Sequence, residues 1–297
     1  MFAQIPLPAV PCRAAPSDRA EMTNQLLFGE LVQITDIAPK NDWLQIQSLH
    51  DQYEAWIDAK QLAFFPDPDP DTNPDFIKTQ SVLNLTHYSS KPFSILQTGL
   101  NTKRQQQKIY LPIGSVLNWA KENPKHIYIA QKAMGFFEGD EFIAACNHND
   151  NDNDNNDILT PAQLLPYALP LLGAPYLWGG RTPMGFDCSG LMQVLYRLAN
   201  INLPRDAWQQ AQTGQEIPLN EAQTGNLAFF SNTQGRIVHV GMVVGLKNAD
   251  STPKSTKHEV QILHAHGQVR LDALNERGIF NSEKQTYSHS LAFVCKI

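Results

Sequence analysis

The stretch FFPDPDPDTNPD, residues 64–75, constrains this chain more than any other. Proline has no amide hydrogen and a fixed φ, so a run of alternating Pro and Asp can neither continue a helix nor sit inside a sheet, and it has no apolar surface to bury. The chain must therefore fold on either side of it. A second interruption, NHNDNDNDNNDILT at 147–160, is polar and of low complexity, a composition that stays solvated. The 297 residues exceed what one small core organises, and the two linkers divide them into expected domains at 1–67, 76–146 and 159–297. Asp150, Asp152 and Asp154 have the alternate spacing of a calcium loop. Pro161 stands where the bidentate Glu belongs, however, and no Gly makes the sharp turn, so no metal is expected there.

Ahead of the first linker, LVQITDI, DWLQIQS and YEAWID are short apolar runs separated by turn residues, the pattern of a small antiparallel barrel. Residues 76–146 repeat the style less clearly. PFSILQT, KIYLPIGSVLNW and HIYIAQKAMGFF are the strand candidates, and NTKRQQQK reads as an insertion. A formal net charge of -6 with scattered Lys and Arg excludes the electrostatic footprint of a nucleic-acid or anionic-membrane partner. Pro6, Pro8 and Pro11 interrupt the start, which lacks a basic run before an unbroken apolar core; a cytoplasmic location is the expectation, or an exported one if a leader was removed. Cys12, Cys146, Cys188 and Cys295 form no CxxC pair, against a zinc knuckle or a disulfide framework.

The last third carries the chemistry. In GFDCSGLMQVLYRLANINLPRDA, Leu191, Val194, Leu195 and Leu198 fall at helical spacing after a glycine-marked loop. Cys188 then lies on the first turn, where free N–H groups and the helix dipole favour an anion, which predicts a moderately lowered thiol pKa despite the neighbouring Asp187. His239 interrupts the apolar run IVHVGMVV, where an imidazole needs a partner. EVQILHAHGQVRL reads as a further strand with His264 and His266 on one face, either of which can orient His239 in a nucleophile, base and orienter relay. Taken one at a time, a buried cysteine is more often packing than catalysis. A zinc site from Cys188, His239 and His264 is conceivable, but it lacks a fourth ligand. Cys12, Cys146 and Cys295 have no polar constellation and read as packing.

APYLWGGRTPMGFDCSGLMQVLYRLANINLPRDAWQQAQTGQEI, followed by GNLAFFS, HVGMVVG and ILHAHGQVR, resembles the NlpC-type cysteine peptidases of bacterial cell-wall peptides. The segment from PCRAAPSDRAEM through DQYEAWID resembles the bacterial SH3-like barrel that precedes the catalytic domain in one branch, which typically carries two such barrels. The resemblance implies an α+β papain-like domain, a cysteine helix packed on an antiparallel sheet, behind two all-β barrels. It implies Cys188 as nucleophile, His239 as base, His264 as third residue with His266 to spare, and Tyr176 as an oxyanion donor. It implies no cofactor. The implied partner is a murein stem peptide, cut between γ-D-glutamate and diaminopimelate or lysine. Its free N-terminal L-alanine would be read by Asp187, Ser189, Tyr53 and Glu21, as suits recycling of wall peptides. An amidase or acyltransferase on the same scaffold, or a silent wall-peptide binder, is the alternative.

Overall fold

The structure is a computed structural model that describes residues 1–38, 42–65, 86–98, 107–119, 124–138, 140–144, 159–245 and 260–297. The Pro/Asp run from residue 66 on, the NTKRQQ part of the expected insertion, Cys146, and the polar linker with Asp150, Asp152 and Asp154 lie outside the described residues. Two compact units result: Met1–Ile158 with Arg181–Pro183, and Leu159–Gly180 with Met184–Ile297. Among the described residues no helix is long and apolar enough to cross a membrane.

The first unit is all β. Its first sheet has seven strands, in the order Met22–Leu27, Ala9–Arg13, Glu54–Asp58, Trp43–Ser48, Leu31–Ile37, Phe2–Gln4 and Ala63–Phe64. The alternation read in the sequence is what buries it. Val10, Cys12, Leu26, Val32, Leu44, Ile46 and Ile57 turn inward to one apolar core, with Tyr53 half-buried against it, while intervening positions face out. Cys12 thus has a packing role. A fully buried Arg181 belongs to this unit, its Nη2 donating to Glu30 Oε1 at 3.0 Å and its Nη1 to the Gln25 carbonyl at 2.9 Å.

Residues 86–144 add a four-stranded and a three-stranded sheet around a second apolar core. His87 stacks on Trp119 there at 3.8 Å between ring centroids, and Phe142 packs edge-on against both rings. Phe28, from the first sheet system, is buried in this second core. Ala130 N–H also donates to Gln4 Oε1 at 2.8 Å, so the two halves of the unit share buried contacts.

The second unit is a helix against an antiparallel sheet of seven strands, in the order Gln215–Ile217, Thr286–Lys296, Leu227–Ser231, Ile237–Gly245, Val260–His266, Gln268–Asn275 and Gly278–Asn281. Gly278–Asn281 pairs back onto Thr286–Lys296, so the sheet closes on itself. The helix Cys188–Leu198 packs on the strands Ile237–Gly245 and Val260–His266. Every residue of that helix is buried, the polar Gln193 and Arg197 included, so its burial extends beyond the apolar stripe that the sequence shows. The sequence-expected strand over 259–271 is instead a hairpin. Val260–His266 and Gln268–Asn275 pair in register around Gly267, whose φ of +71° is the left-handed turn that glycine adopts without steric cost.

Candidate active site

Asp187 starts the cysteine helix. Its backbone is extended at φ −90° and ψ 176°, and its Oδ1 accepts the Gly190 N–H at 2.6 Å, the N-cap bond that satisfies an orphan donor of the first turn. Its Oδ2 accepts the Gly179 N–H at 2.9 Å, which ties the preceding loop to the helix start. The Arg205 guanidinium closes the arrangement. Nη1 donates to Asp187 Oδ1 at 3.1 Å and to Ser189 Oγ at 3.0 Å, and Nη2 pairs with Asp187 Oδ2. Both Asp187 and Arg205 are buried. Asp187 and Ser189 therefore face a cation of the chain itself, whereas the sequence reading assigned them to a substrate ammonium.

Cys188 is buried next to this cap. The backbone N–H groups of Ser189 and of Val240, the residue after His239, lie close enough to its Sγ to favour the thiolate, so the helix start and the His239 strand approach at the sulfur. The thiol pKa is nevertheless raised, not lowered as the helix start alone predicts. Burial first, and then the Asp187 carboxylate, push it up to about 12, against the two backbone N–H groups and the Arg205 charge. Desolvation outweighs the amides of one helix end, and the resting sulfur is a neutral thiol.

His239 comes from the adjacent strand and is buried. Burial, with the nearby His289, His264 and His266, holds its pKa well below the usual value, so it too is neutral at rest. Its Nε2 lies 2.8 Å from His264 Nδ1. The structure thus brings His264 to His239, while the exposed His266 stands 6.4 Å away between ring centroids, edge to face. The glycine of the HVG word permits the approach. A Cβ at Gly241 would lie 2.7 Å from Ile262 Cγ1 and 2.9 Å from His264 Cβ, closer than packed carbons tolerate.

Tyr176 is held by its own N–H, which donates to the Gly267 carbonyl at 2.9 Å. Burial raises its phenol pKa to about 12, and the charges of Cys188 and Asp187 add to this, which places the hydroxyl within electrostatic reach of the sulfur. It remains a neutral donor. Tyr53 and Glu21 lie in the first unit. The Tyr53 N–H is held by Asp51 Oδ1 at 3.1 Å, and Glu21 is exposed, its carbonyl accepting the Ala14 N–H at 3.0 Å.

Four residues escaped the sequence reading. Arg205 stands in the quoted word LPRDA. Its signal was a cation between a proline and a helix cap, near an aspartate that needed one. Arg270 and Asp272 alternate along VRLDAL, two opposite charges on one strand face. His289 comes from the C-terminal strand and stacks on His239 at 4.1 Å with 15° between the planes; nothing local in SHSLAF marks it. Cys295 is buried and free, and its packing role holds. No group of three or more metal-ligating side chains is arranged to hold a metal among the described residues.

A thiol on the first turn of a helix packed on the strand that carries a buried histidine, itself backed by a second histidine, on a helix-against-sheet domain, has the layout of the papain-like thiol hydrolases. The NlpC/P60 family model matches residues 173–286, and that of the bacterial dipeptidyl-peptidase SH3 domain matches 12–62. The γ-D-glutamyl-L-lysine dipeptidyl-peptidase of Bacillus subtilis is 30% identical over 253 residues, covering 80% of this chain and 74% of that protein. The enzyme of the same name from Bacillus cereus is 26% identical over 270 residues, or 84% and 73%. The crystal structure of an NlpC/P60 family protein from Bacillus cereus superposes with a TM-score of 0.75 at 19% identity, covering 100% of this chain and 99% of that one, a likeness of fold. The chain belongs to the NlpC/P60 family, with an SH3-like domain at its N-terminal side. It is an enzyme of that family, a hydrolase of cell-wall peptides.

Proposed function

We propose that the chain is a cysteine peptidase that hydrolyses the amide between γ-D-glutamate and the diamino acid, lysine or diaminopimelate, of murein stem peptides. The observation that carries the reading is the 2.8 Å bond between His239 and His264, on the two strands against which the helix starting at Cys188 packs. It puts a nucleophile and an oriented base on adjoining elements. The substrate class comes from the named relatives.

In the reaction, the Cys188 thiol passes its proton to His239 as the sulfur attacks the γ-carbonyl carbon. The tetrahedral oxyanion is met by the backbone N–H of Cys188 and the hydroxyl of Tyr176. His239 then gives the proton to the departing amine of the diamino acid. Water, deprotonated by His239, opens the thioester and releases L-alanyl-γ-D-glutamate, restoring the thiol. Because both partners are neutral at rest, charge develops only during the attack.

The proposal extends to peptides with a free N-terminal L-alanine, for which Asp187, Ser189, Tyr53 and Glu21 are the nominated readers, and to a place in wall-peptide recycling. Residues 76–146 are assigned as a second, divergent SH3-like barrel. The test is product identification by mass spectrometry for four peptides: L-alanyl-γ-D-glutamyl-lysine and its diaminopimelate counterpart, each free and N-acetylated. Release of free diamino acid from the unblocked peptides alone supports bond and amine specificity. Equal cleavage of the blocked peptides refutes the amine reading, and no released diamino acid refutes the peptidase.

A further inference from the structure

We propose that Asp272 is a positioning residue of the reaction, the fixed end of a relay that runs Asp272, His264, His239, Cys188 and sets which nitrogen of His239 carries the proton. The inference rests on the peptidase reading for its kinetic consequence, but its structural content stands on the geometry.

His264 and Asp272 face each other diagonally across the hairpin, with Ile262 paired to Asp272 and His264 paired to Arg270, and diagonal neighbours of this kind are within side-chain reach. His264 Nε2 lies 3.0 Å from Asp272 Oδ2. Arg270 grips the same carboxylate with both arms, Nε to Oδ2 at 2.6 Å and Nη2 to Oδ1 at 2.9 Å. Asp272 and His264 are both buried. Burial alone would raise the carboxyl pKa, but the bonds from His264 and Arg270 and their charges leave it below its ordinary value. It is therefore ionised near neutral pH, and a carboxylate only accepts.

The tautomers follow one from the next. His264 Nε2 must carry the proton that Asp272 accepts. A neutral imidazole then presents Nδ1 as an acceptor, so the 2.8 Å contact is a donation from His239 Nε2–H. The second nitrogen of His239, Nδ1, is left with its lone pair free, the form that can take a proton from a thiol. Arg270 fixes the rotation of the carboxylate, so the setting does not depend on a mobile side chain. During the attack, positive charge builds on His239, and the carboxylate two bonds away stabilises it through His264. Among the described residues, the other charged or titratable groups around the relay are His266 and His289, which stack with its histidines, Glu283, 3.7 Å from Arg270 Nη2, and, at the Cys188 end, Asp187, Arg205 and Tyr176.

The change Asp272→Asn is the discriminating one, because an amide can turn an N–H toward His264 Nε2. That reverses both tautomers and blocks His239 Nδ1 with a proton. Asp272→Ala only removes the anchor, and Asp272→Glu keeps the carboxylate. Three measurements on the full chain decide. Histidine 15N–1H correlation spectra of the unmodified protein at neutral pH are expected to show His239 and His264 both protonated at Nε2; a proton on Nδ1 of either neutral ring overturns the proposal with no variant needed. In steady-state assays with L-alanyl-γ-D-glutamyl-lysine, Asp272→Asn is expected to lower kcat by about 10²–10⁴ with KM within about threefold, the upper value being the loss of about 10⁴ that the same exchange causes in a Ser-His-Asp triad. Asp272→Ala is expected to lose less, and Asp272→Glu to recover most of the rate. A folded Asp272→Asn variant that keeps more than about a third of kcat, or that changes KM alone, overturns the assignment. The rate of Cys188 alkylation by iodoacetamide reads the same base without substrate and should fall in parallel. Expected spectra and alkylation in a protein inert toward the peptide would support the relay while refuting the peptidase reading. If Asp272→Asn does not fold, the unmodified protein's spectra and Asp272→Glu decide.

Discussion

Arg205→Met removes the cation held against the carboxylate that starts the cysteine helix. The methionine retains the apolar stem but not the donations to Asp187 Oδ1 at 3.1 Å and Ser189 Oγ at 3.0 Å, nor the pairing with Oδ2. Asp187 stays buried with the Gly179 and Gly190 amides and the Ser189 hydroxyl as its remaining donors, and among the described residues no cation is left paired with its charge. Breaking a buried pair in this way costs about 3–5 kcal/mol, against at most about 1 kcal/mol for an exposed one. With a urea m-value of about 2 kcal/mol/M, the unfolding midpoint should drop by about 1.5–2.5 M, followed by circular dichroism. Pairing it with Asp187→Asn removes the stranded charge, so the double variant should be more stable than the additive sum by about 2 kcal/mol or more. Activity should fall as well, because the Arg205 charge is one of the influences holding the thiol pKa down. A loss under about 1 kcal/mol for Arg205→Met would refute the reasoning, since that is the value of a solvated pair.

Further outcomes follow from the same geometry. Gly241→Ala should displace the His264 strand, costing about 1–3 kcal/mol and more activity than its stability loss explains; unchanged kcat would refute the close-approach reading. His264→Ala should all but abolish turnover while His266→Ala leaves most of it, and equal mild losses would refute the choice of His264. Tyr176→Phe should lower kcat by about 10²-fold with little change in KM if the hydroxyl meets the oxyanion. Stability should fall as pH drops. The unfolded histidines bind protons near 6.5, whereas burial and neighbouring histidines lower His289 to about 4 and hold His239 below its usual value. The unfolded state therefore carries more protons between those values, and stability is full above about pH 6.5 and lost toward pH 4. Urea titrations at pH 7.5 and 5 check this, and His289→Gln should flatten the slope; an unchanged slope would exclude His289 as a contributor.

What was legible in the sequence was whatever repeats locally. LVQITDI became the strand Leu31–Ile37, which puts Val32 in the core, and the 188–198 stripe became the helix, because each carries apolar residues near the period of its element. His239 could be read because it interrupts an apolar run, Cys188 because it stands where a glycine-marked loop meets a helical stripe, and His264 because it shares a strand face with His266. The turn at Gly267 was hidden by two adjoining strands of one composition, which made HAHGQVRL look continuous. Asp272 and His289 were hard to read because their roles depend on which strands pair, and only the closed sheet brings His289 over His239; Arg205 carried a weak local signal, but its partner Asp187 lies 18 residues back at the far end of the helix. The thiol was misjudged for a different reason. The dipole at a helix start follows from local sequence, but the depth of burial that overrides it is set by the strand packed above.

The most direct measurement of the central claim is turnover of L-alanyl-γ-D-glutamyl-lysine by the intact protein and by Cys188→Ala, with free lysine quantified and folding of both checked by circular dichroism. The expected result is lysine release by the intact protein and a background rate from a folded Cys188→Ala. Release by Cys188→Ala at a comparable rate would contradict the assignment of Cys188 as nucleophile, and no release by either would contradict the peptidase itself.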